Sequence, residues 1–407
     1  MMNKNPNPAQ KVVSSLTSLS FPKKKKSFPI RKSNRRATDP LRVGIICPYS
    51  MSVPGGVQNQ VLLMSKELRQ RGIDARIIAP CDGVPPTDYF YSVGTTKALK
   101  SNGSLAPIAD DASSASLTMD AIESFRPDVL HLHEPLVPGP TTAAMIGAEY
   151  PIVATFHAAG ESNPALKYFR HPARGAISRI HLKIAVSNEA KNMAKQYLKG
   201  EYEIIPNCVD TKHIFDHQKW PSTKAPVLFV GRHEERKGLK FLIQAWKTSE
   251  LLQKKYTLWV AGNGPETPEL VNESKHIDSI SFLGRIDNDE LFRRMRSAYV
   301  VVAPALYGES FGIVLVEAMA ANACVVATDI PGYRDVARNN IEAILVSPSN
   351  SEELRIAIEK IMSNTTFRNQ LQKAGLARAK EFSVHNIVDK YVIAYTKAIS
   401  EHKASND

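Results

Sequence analysis

The chain has 407 residues, 43% of them hydrophobic and 23% charged, with four cysteines and a formal net charge of +12. That length accommodates two domains with complete cores, and the composition is that of a globular protein. The absence of any apolar run of about 18 residues excludes a membrane-spanning helix, and no apolar signal-peptide core precedes the fold. Cys47, Cys81, Cys208 and Cys324 are too far apart for a paired zinc or redox motif, which fits a reducing, cytoplasmic setting.

The excess positive charge is local. Residues 1–40 carry ten basic side chains against one acid, Asp39, so nine of the twelve net charges sit there and the remaining body is close to neutral. A nucleic-acid-binding fold needs its basic residues on the folded surface, so nucleic acid is not an expected partner. Rich in Asn, Pro, Ser and Lys, this tail is expected to be disordered. The run Phe21 to Phe28, four lysines between aromatic ends, offers a peripheral contact with an anionic membrane such as the inner face of the plasma membrane. A solvated tail is the competing reading.

From Leu41 the pattern alternates between strand and helix. Arg42 to Cys47 reads as a buried strand, and Pro54-Gly55-Gly56-Val57 opens a helix through about Arg69. Ala75 to Ala79 is the next strand, after which residues 81–115 show poor periodicity, a length of irregular chain more often functional than idle. Val129 to His133 and Ile152 to Phe156 are buried strands running directly into His133-Glu134 and His157. Ligands of open parallel sheets lie at the carboxyl ends of strands, which makes these polar residues site candidates. A helical stretch over about 164–180, a strand at Lys183 to Ser187 and another at Tyr202 to Ile205 complete a first domain, 41–205. Residues 206–226 read as a linker. A second series then follows over 227–381: strands at Val227 to Val230, Thr257 to Ala261, Ile280 to Leu283, Tyr299 to Pro304, Cys324 to Ala327 and Ile344 to Val346. Residues 382–407 read as a C-terminal crossover helix and tail. The fold class is α/β: two Rossmann-like, doubly wound parallel-sheet domains facing a central cleft, with the C-terminal helices packing back toward the N-terminal domain.

The most informative stretch is Gly308 to Ala320. Gly308 and Gly312 allow a tight loop and close ligand approach. The amides of Phe311, Gly312 and Ile313 lie at a helix start, where free donors and the helix dipole favour an anion. Glu309 precedes the helix, and Glu317 lies within it among apolar residues, a costly place for a carboxylate unless it meets a hydroxyl or a cation. A phosphate with sugar and ribose hydroxyls would satisfy these groups together; a neighbouring Lys or Arg would satisfy Glu317 alone. After the strand ending at Val230, Arg232 and Lys237 are spaced to neutralise charge growing on a leaving diphosphate, or else to pair with Glu234 and Glu235. Asp287-Asn288-Asp289 has the spacing of a metal-binding acid pair, but it precedes a helix that it can cap, so no metal site is assigned.

On Pro54-Gly55-Gly56-Val57, Thr155-Phe156-His157, Gly231-Arg232 with Lys237-Gly238, and Glu309 with Glu317, the chain resembles the family 4 glycosyltransferases of the GT-B fold across Leu41 to Ile399. More narrowly, Cys47 to Ser50, Val53 to Gln58, Leu130 to Pro135 and Ile152 to His157 are similar to actinobacterial phosphatidylinositol mannosyltransferases. The resemblance implies retaining, metal-independent transfer of a sugar from a nucleotide-sugar, with GDP-mannose the favoured donor and no cofactor. It places Arg232 and Lys237 on the diphosphate, Gly55 and Gly56 against it, and Glu309 with the amides of Phe311, Gly312 and Ile313 on sugar and phosphate. Glu317 then takes the ribose, Ile286 lies with the donor residues, and His157 sits beside the reacting carbon. The acceptor, a membrane lipid or a glycan, would lie near Tyr49, Gln58 and Asn102. Three features depart from the narrower pattern. Asp110 to Asp120 is acidic where those enzymes have a basic amphipathic helix, Pro107 stands near their lipid-phosphate arginine, and Asn288 replaces an Asp that contacts guanine. A UDP-linked donor with a soluble or glycan acceptor is therefore the alternative, and a nucleotide-sugar-binding scaffold without turnover is the non-enzymatic one.

Overall fold

The structure is a computed structural model that describes residues 39–101, 104–159 and 174–405. The chain divides into two compact units. One contains the residues up to Ala185 with Lys191–Glu203 and Lys390–Asp407, and the other Val186–Ala190 with Ile204–Asp389.

The first unit is built on a seven-stranded sheet: β1 (Arg42–Ile46), β2 (Asp74–Ala79), β3 (Phe90–Ser92), β6 (Val129–His133), β7 (Ile152–Phe156), β8 (Leu182–Ala185) and β9 (Glu203–Ile204), in the order 3-2-1-6-7-8-9. β4 (Lys97–Ser101) and β5 (Ser104–Ile108) form a separate antiparallel hairpin. Runs such as Val-Leu-His-Leu-His and Ile-Val-Ala-Thr-Phe are buried along their whole length, as parallel strands covered on both faces must be. The irregular stretch expected over 81–115 is thus more ordered than its periodicity implied. It holds β3, the hairpin and the start of the helix Ala112–Phe125, which Asp111 caps by accepting from the Ser114 amide. These strands are short and carry Ser, Lys and Pro, so no apolar alternation marks them. The helix expected over 164–180 falls largely outside the described residues; one turn, Arg174–Ile177, lies within them.

The second unit has six parallel strands: β10 (Ala225–Val230), β11 (Tyr256–Ala261), β12 (Ile280–Gly284), β13 (Val300–Ala303), β14 (Cys324–Thr328) and β15 (Ala343–Val346), in the order 12-11-10-13-14-15. The strand order reverses between β10 and β13, and this switch point is where an open α/β sheet leaves a crevice at its carboxyl edge. Its core packs Phe229, Leu242, Trp246, Val260, Val302 and Ile358 together. The stretch expected as a linker carries a short helix, Thr211–Asp216, capped by Asp210, before β10 begins at Ala225. The chain ends in three helices, Ser351–Ser363, Thr365–Glu381 and Val384–Ala404. The last of them supplies Tyr391 and Tyr395 to the first unit, where both are buried against the His131 ring.

Glycines set the turn after β11. Gly262 has φ +118°, and a Cβ there would lie 1.9 Å from the Gly231 carbonyl oxygen, while one at Gly264 would lie 2.4 Å from the His233 carbonyl oxygen. The backbone of the β11 turn is therefore pressed directly onto the β10 turn, and the His233 amide donates to the Asn263 carbonyl at 3.1 Å. Gly262→Ala meets both the left-handed backbone and a backbone oxygen that cannot yield. It is expected to destabilise the protein by about 2–4 kcal/mol, the range of severe backbone and packing substitutions, read as a lowered urea midpoint against a surface Ala control.

Candidate active site

The carboxyl edge of the second sheet collects the charged residues singled out in the sequence. β10 ends at Val230, and the chain passes through Gly231 and Arg232 into a single 3-10 turn, Glu235–Lys237, closed by Gly238 at φ +68°. A Cβ at Gly238 would lie 2.0 Å from the Pro304 carbonyl oxygen, and the Leu306 amide donates to the Arg236 carbonyl at 2.7 Å. The loop after β13 is thereby fastened to the loop after β10, and side chains 72 or 73 residues apart in sequence meet.

They meet at Glu309. Its Oε1 accepts from Lys237 Nζ at 2.6 Å and from Arg236 Nη1 at 2.9 Å. Arg236 also reaches Glu234 Oε2 at 3.2 Å, and Arg232 Nη2 pairs with Glu234 Oε1 at 2.7 Å. Three cations and two carboxylates thus form one chain of ion pairs, Arg232–Glu234–Arg236–Glu309–Lys237, with a net positive charge. Arg232, its outer member, is half exposed, while the rest are mostly covered. The cations expected from the sequence are placed together. Arg236, which the sequence reading passed over, is the link between them; its one signal was its position between Glu235 and Lys237, where charge runs look like solvated surface.

Beside this chain the helix Ile313–Ala320 begins at Gly312, which has φ +78° and no side-chain cap. The first amides of the helix therefore point out of its N-terminus without a side-chain acceptor, a geometry suited to an anion. Phe311 is buried against Phe382, so its amide rather than its ring is the group available to a ligand. The loop is backed by Pro331–Arg334 after β14. A Cβ at Gly312 would fall 2.4 Å from the Tyr333 ring, and one at Gly332 would fall 2.0 Å from the Glu309 carbonyl oxygen. Gly332 and Tyr333, also missed in the sequence, hold the Glu309 loop from behind; a Pro-Gly-Tyr following a buried strand was the available signal. Ile286 is half-buried in the turn between β12 and the helix Asn288–Ser297. Asp287 accepts from the Glu290 amide at 2.8 Å and caps that helix, and Asp289 faces His217 and Arg293. The acid pair is thus committed to the helix start.

Glu317 points from the same helix and has no ion-pair partner among the described residues. The neighbouring Lys or Arg that the alternative reading required is absent among them. Burial alone pushes its carboxyl up from the usual range to about 7.

In the first unit, the sequence-predicted groups also gather at the carboxyl edge. Tyr49 follows β1 and bridges to Ile108, and burial together with the Glu134 charge raises its phenol well above the ordinary value. Gly55 and Gly56 start the helix Gly56–Gln70. Gly55 is extended (φ −164°), and a Cβ on Gly56 would meet nothing within 4 Å, so the backbone there is open. Gln58 is buried and donates to the Ser50 carbonyl, which turns it inward to support the loop. Asn102 lies outside the described residues. Glu134, at φ +50°, is buried, and its Oε1 accepts the amides of His157 and Ala158 at 2.7 Å each. Burial lifts its carboxyl to about 7 against the pull of those two amides. His157 Nε2 lies 2.8 Å from His133 Nδ1.

A family model for glycosyl transferases group 1 matches residues 210–378, and one for Glycosyltransferase Family 4 matches residues 54–213. A phosphatidyl-myo-inositol mannosyltransferase of Mycobacterium leprae is 34% identical over 360 residues, covering 87% of this chain and 96% of the relative. The chain belongs to the family 4 glycosyltransferases. Among solved structures, a glycosyltransferase from Rickettsia africae matches with a TM-score of 0.70 at 19% identity, over 89% of this chain and 99% of that one. The Anabaena HepE protein in complex with UDP and glucose matches at 0.66 and 20% identity, over 88% and 99%. The residues of this glycosyltransferase that form the Glu309 ion-pair chain all fall within the first family model's span.

The Glu317 carboxyl carries a measurable signature. Its folded pKa of about 7 lies above the ordinary value of 4.5, so the folded state holds the proton more tightly than the unfolded one. Its contribution to stability is complete below pH 4.5 and is lost as pH rises through 7. A neutral Glu317→Gln side chain has no such loss. Between pH 5 and pH 8 the variant should gain about 2 kcal/mol relative to wild type, measured by urea denaturation at the two pH values.

Proposed function

We propose that this glycosyltransferase moves mannose from GDP-mannose to a membrane lipid of the phosphatidylinositol type, with retention of configuration and without a metal. The observation that carries the reading is the 34% identity spread over nearly the whole length of a phosphatidyl-myo-inositol mannosyltransferase. In this reading Lys237, Arg236 and Arg232 receive the diphosphate. Glu309 and Glu234 hold that charge in place, so the cations are ordered before the donor arrives and need little rearrangement when it does. When the diphosphate takes over the cations, Glu309 is released to accept hydrogen bonds from sugar hydroxyls. The helix-start amides at Gly312 and Ile313 serve the phosphate, and Glu317, which has no ion-pair partner among the described residues, accepts from ribose hydroxyls. Positive charge gathered where the leaving diphosphate becomes more negative lowers the barrier to departure. Retention follows if the acceptor attacks on the face from which the diphosphate leaves, a phosphate oxygen taking its proton. No carboxylate pair flanking the sugar is then required. By the family resemblance, His157 would contact the sugar, Tyr49 the acceptor and Gly56 the donor.

A UDP-linked donor is the second reading. Asn288 stands where a guanine-contacting Asp is expected, and the structurally similar Anabaena protein is in complex with UDP and glucose. The basic tail as a membrane anchor, and a cytoplasmic location with peripheral contact at the inner face of the plasma membrane, belong to the first reading. Among the described residues no helix is long and apolar enough to cross a membrane.

The deciding assay presents purified protein with GDP-mannose, UDP-glucose and ADP-glucose in turn, with phosphatidylinositol vesicles, in EDTA. The expected outcome is release of GDP and a lipid product heavier by one hexose. Consumption of the UDP-sugar alone, or dependence on added metal, overturns the proposal. Lys237→Ala should lower turnover by about 100- to 1,000-fold, the cost of removing a donor aimed at developing charge, with thermal unfolding little changed. Vesicle sedimentation with and without residues 1–38 tests the tail: equal binding by both forms removes it from the membrane contact.

A further inference from the structure

The amino edge of the second sheet holds another collection of positive charge. Tyr299, just before β13, and Asn322, just before β14, open onto a cavity of about 320 Å³ whose lining includes Phe215, Lys219, Arg296 and Arg368. No carboxylate lines it among the described residues. All of these residues belong to the second unit, at the end of the strands opposite to the Glu309 ion-pair chain.

Both guanidinium groups are held in place. Arg296 donates from Nη1 to the Ala321 carbonyl at 2.9 Å, and its Cζ lies 4.3 Å from the Phe215 ring centre. Arg368 donates from Nη1 to the Ile361 carbonyl at 3.2 Å and from Nη2 to Thr365 Oγ1 at 3.1 Å, and its Cζ lies 5.1 Å from the Tyr299 ring centre. Nη2 of Arg296 and Nε of Arg368 have no acceptor among the described residues. Nor does Lys219, Arg296 or Arg368 have a carboxylate within ion-pair distance among them, whereas Arg294, Arg334, Arg338, Arg355 and Arg378 of the same unit each do. Burial lowers the pKa of Arg296, and Asp216 opposes that from beyond ion-pair contact.

Capping of helix ends accounts for part of this arrangement. Ala321 follows the helix Ile313–Ala320 and Ile361 lies in the last turn of Ser351–Ser363, so each arginine covers a carbonyl at a helix end. Each such end offers roughly half a negative charge. Two ends and Asp216 together supply about −2 against three full positive charges, so the cavity stays positive. Like charges gathered in this way repel, a cost that an anion in the cavity offsets.

We propose that this cavity is a binding site for a soluble phosphomonoester, with Arg296 and Arg368 gripping the phosphate and Lys219 closing over it. A phosphomonoester carries about −1.5 to −2 charge near neutral pH and presents three acceptor oxygens, one for each cation, where a carboxylate presents two. Guanidinium groups match phosphate geometry and bind it by charge-assisted hydrogen bonds. The cavity is at the lower end of the range for small-molecule sites, about 300–1,000 Å³, which leaves room for a short polar body against the Phe215 and Tyr299 rings. The four residues of β13, roughly 13 Å at ~3.3 Å each, separate it from the Glu309 chain, so the site stands whichever donor the carboxyl edge takes.

The test is titration calorimetry of the full-length protein with glycerol 3-phosphate at fixed ionic strength. Wild type and Lys237→Ala should both show saturable binding; the second form lacks a cation of the carboxyl-edge chain, so binding there does not stand in for binding here. In the Lys237→Ala background, Arg368→Gln should weaken binding by about 10- to 100-fold, the cost of a charge-assisted hydrogen bond. Lys219→Glu should weaken it by about 10-fold or more through like-charge repulsion. Lys219 is exposed and has no hydrogen-bond or ion-pair partner among the described residues, so that variant decides the matter even where Arg368→Gln, which loses a helix cap, folds poorly. Absence of saturable binding, its loss in Lys237→Ala, or equal binding after Lys219→Glu overturns the proposal. Vesicles containing phosphatidylinositol 4-phosphate present the same monoester on a lipid; binding confined to them, with no heat from glycerol 3-phosphate, overturns the assignment to a soluble ligand.

Discussion

The second unit depends on a shared carboxylate. Glu309 Oε1 binds Lys237 and Arg236 at once, and everything around it serves to bring those side chains together from opposite sides of the β10/β13 switch point. Two cations of like sign on neighbouring residues repel; a carboxylate between them converts repulsion into an ordered pair. Exposed ion pairs contribute little to stability, and such a network has little value as structural glue. Its value lies in order: three positive charges stand in one place with their side-chain entropy already lost. The backbone permits it because Gly238 and Gly332 lack the Cβ atoms that would strike the Pro304 and Glu309 carbonyl oxygens.

Much of this was legible in the chain itself. Parallel strands buried on both faces write themselves as apolar runs, so β1, β6, β7 and β10 to β15 were visible, and so were the polar residues at their ends. The resemblance to family 4 glycosyltransferases was carried by those same strand ends. Arg232, Lys237 and Glu309 could be named because each follows a strand and a glycine. Arg236, Gly332 and Tyr333 could not, since their roles are set by what touches them in space. A basic residue in a run of charges looks the same whether it faces solvent or a carboxylate 73 residues away. The hairpin β4–β5 and strand β3 were missed for a different reason. They are short pieces with Ser, Lys and Pro, and Asp82 fastens the link between β3 and β4 by accepting from the amide and hydroxyl of Thr96.

The two units use the same architecture for unlike electrostatic ends. At the carboxyl edge of the second sheet, charge is kept: five ionised groups alternate in sign and remain in contact with water. At the carboxyl edge of the first, charge is suppressed. His131 and His133 are held neutral by burial, the Tyr49 phenol is pushed up, and the Glu134 carboxyl is lifted to about 7 while its oxygen binds two amides. The first kind of surface suits an anion, and the second holds neutral donors and acceptors of fixed direction.

Glu317 belongs to the second kind although it lies in the second unit. A carboxyl with no cation beside it among the described residues, whose proton binds near pH 7, is poised to ionise when hydroxyl donors replace its lost hydration. A vicinal diol supplies two such donors. The two acids of the helix-start stretch therefore differ by environment alone: Glu309 is flanked by Lys237 and Arg236, and Glu317 by Val316 and Ala318.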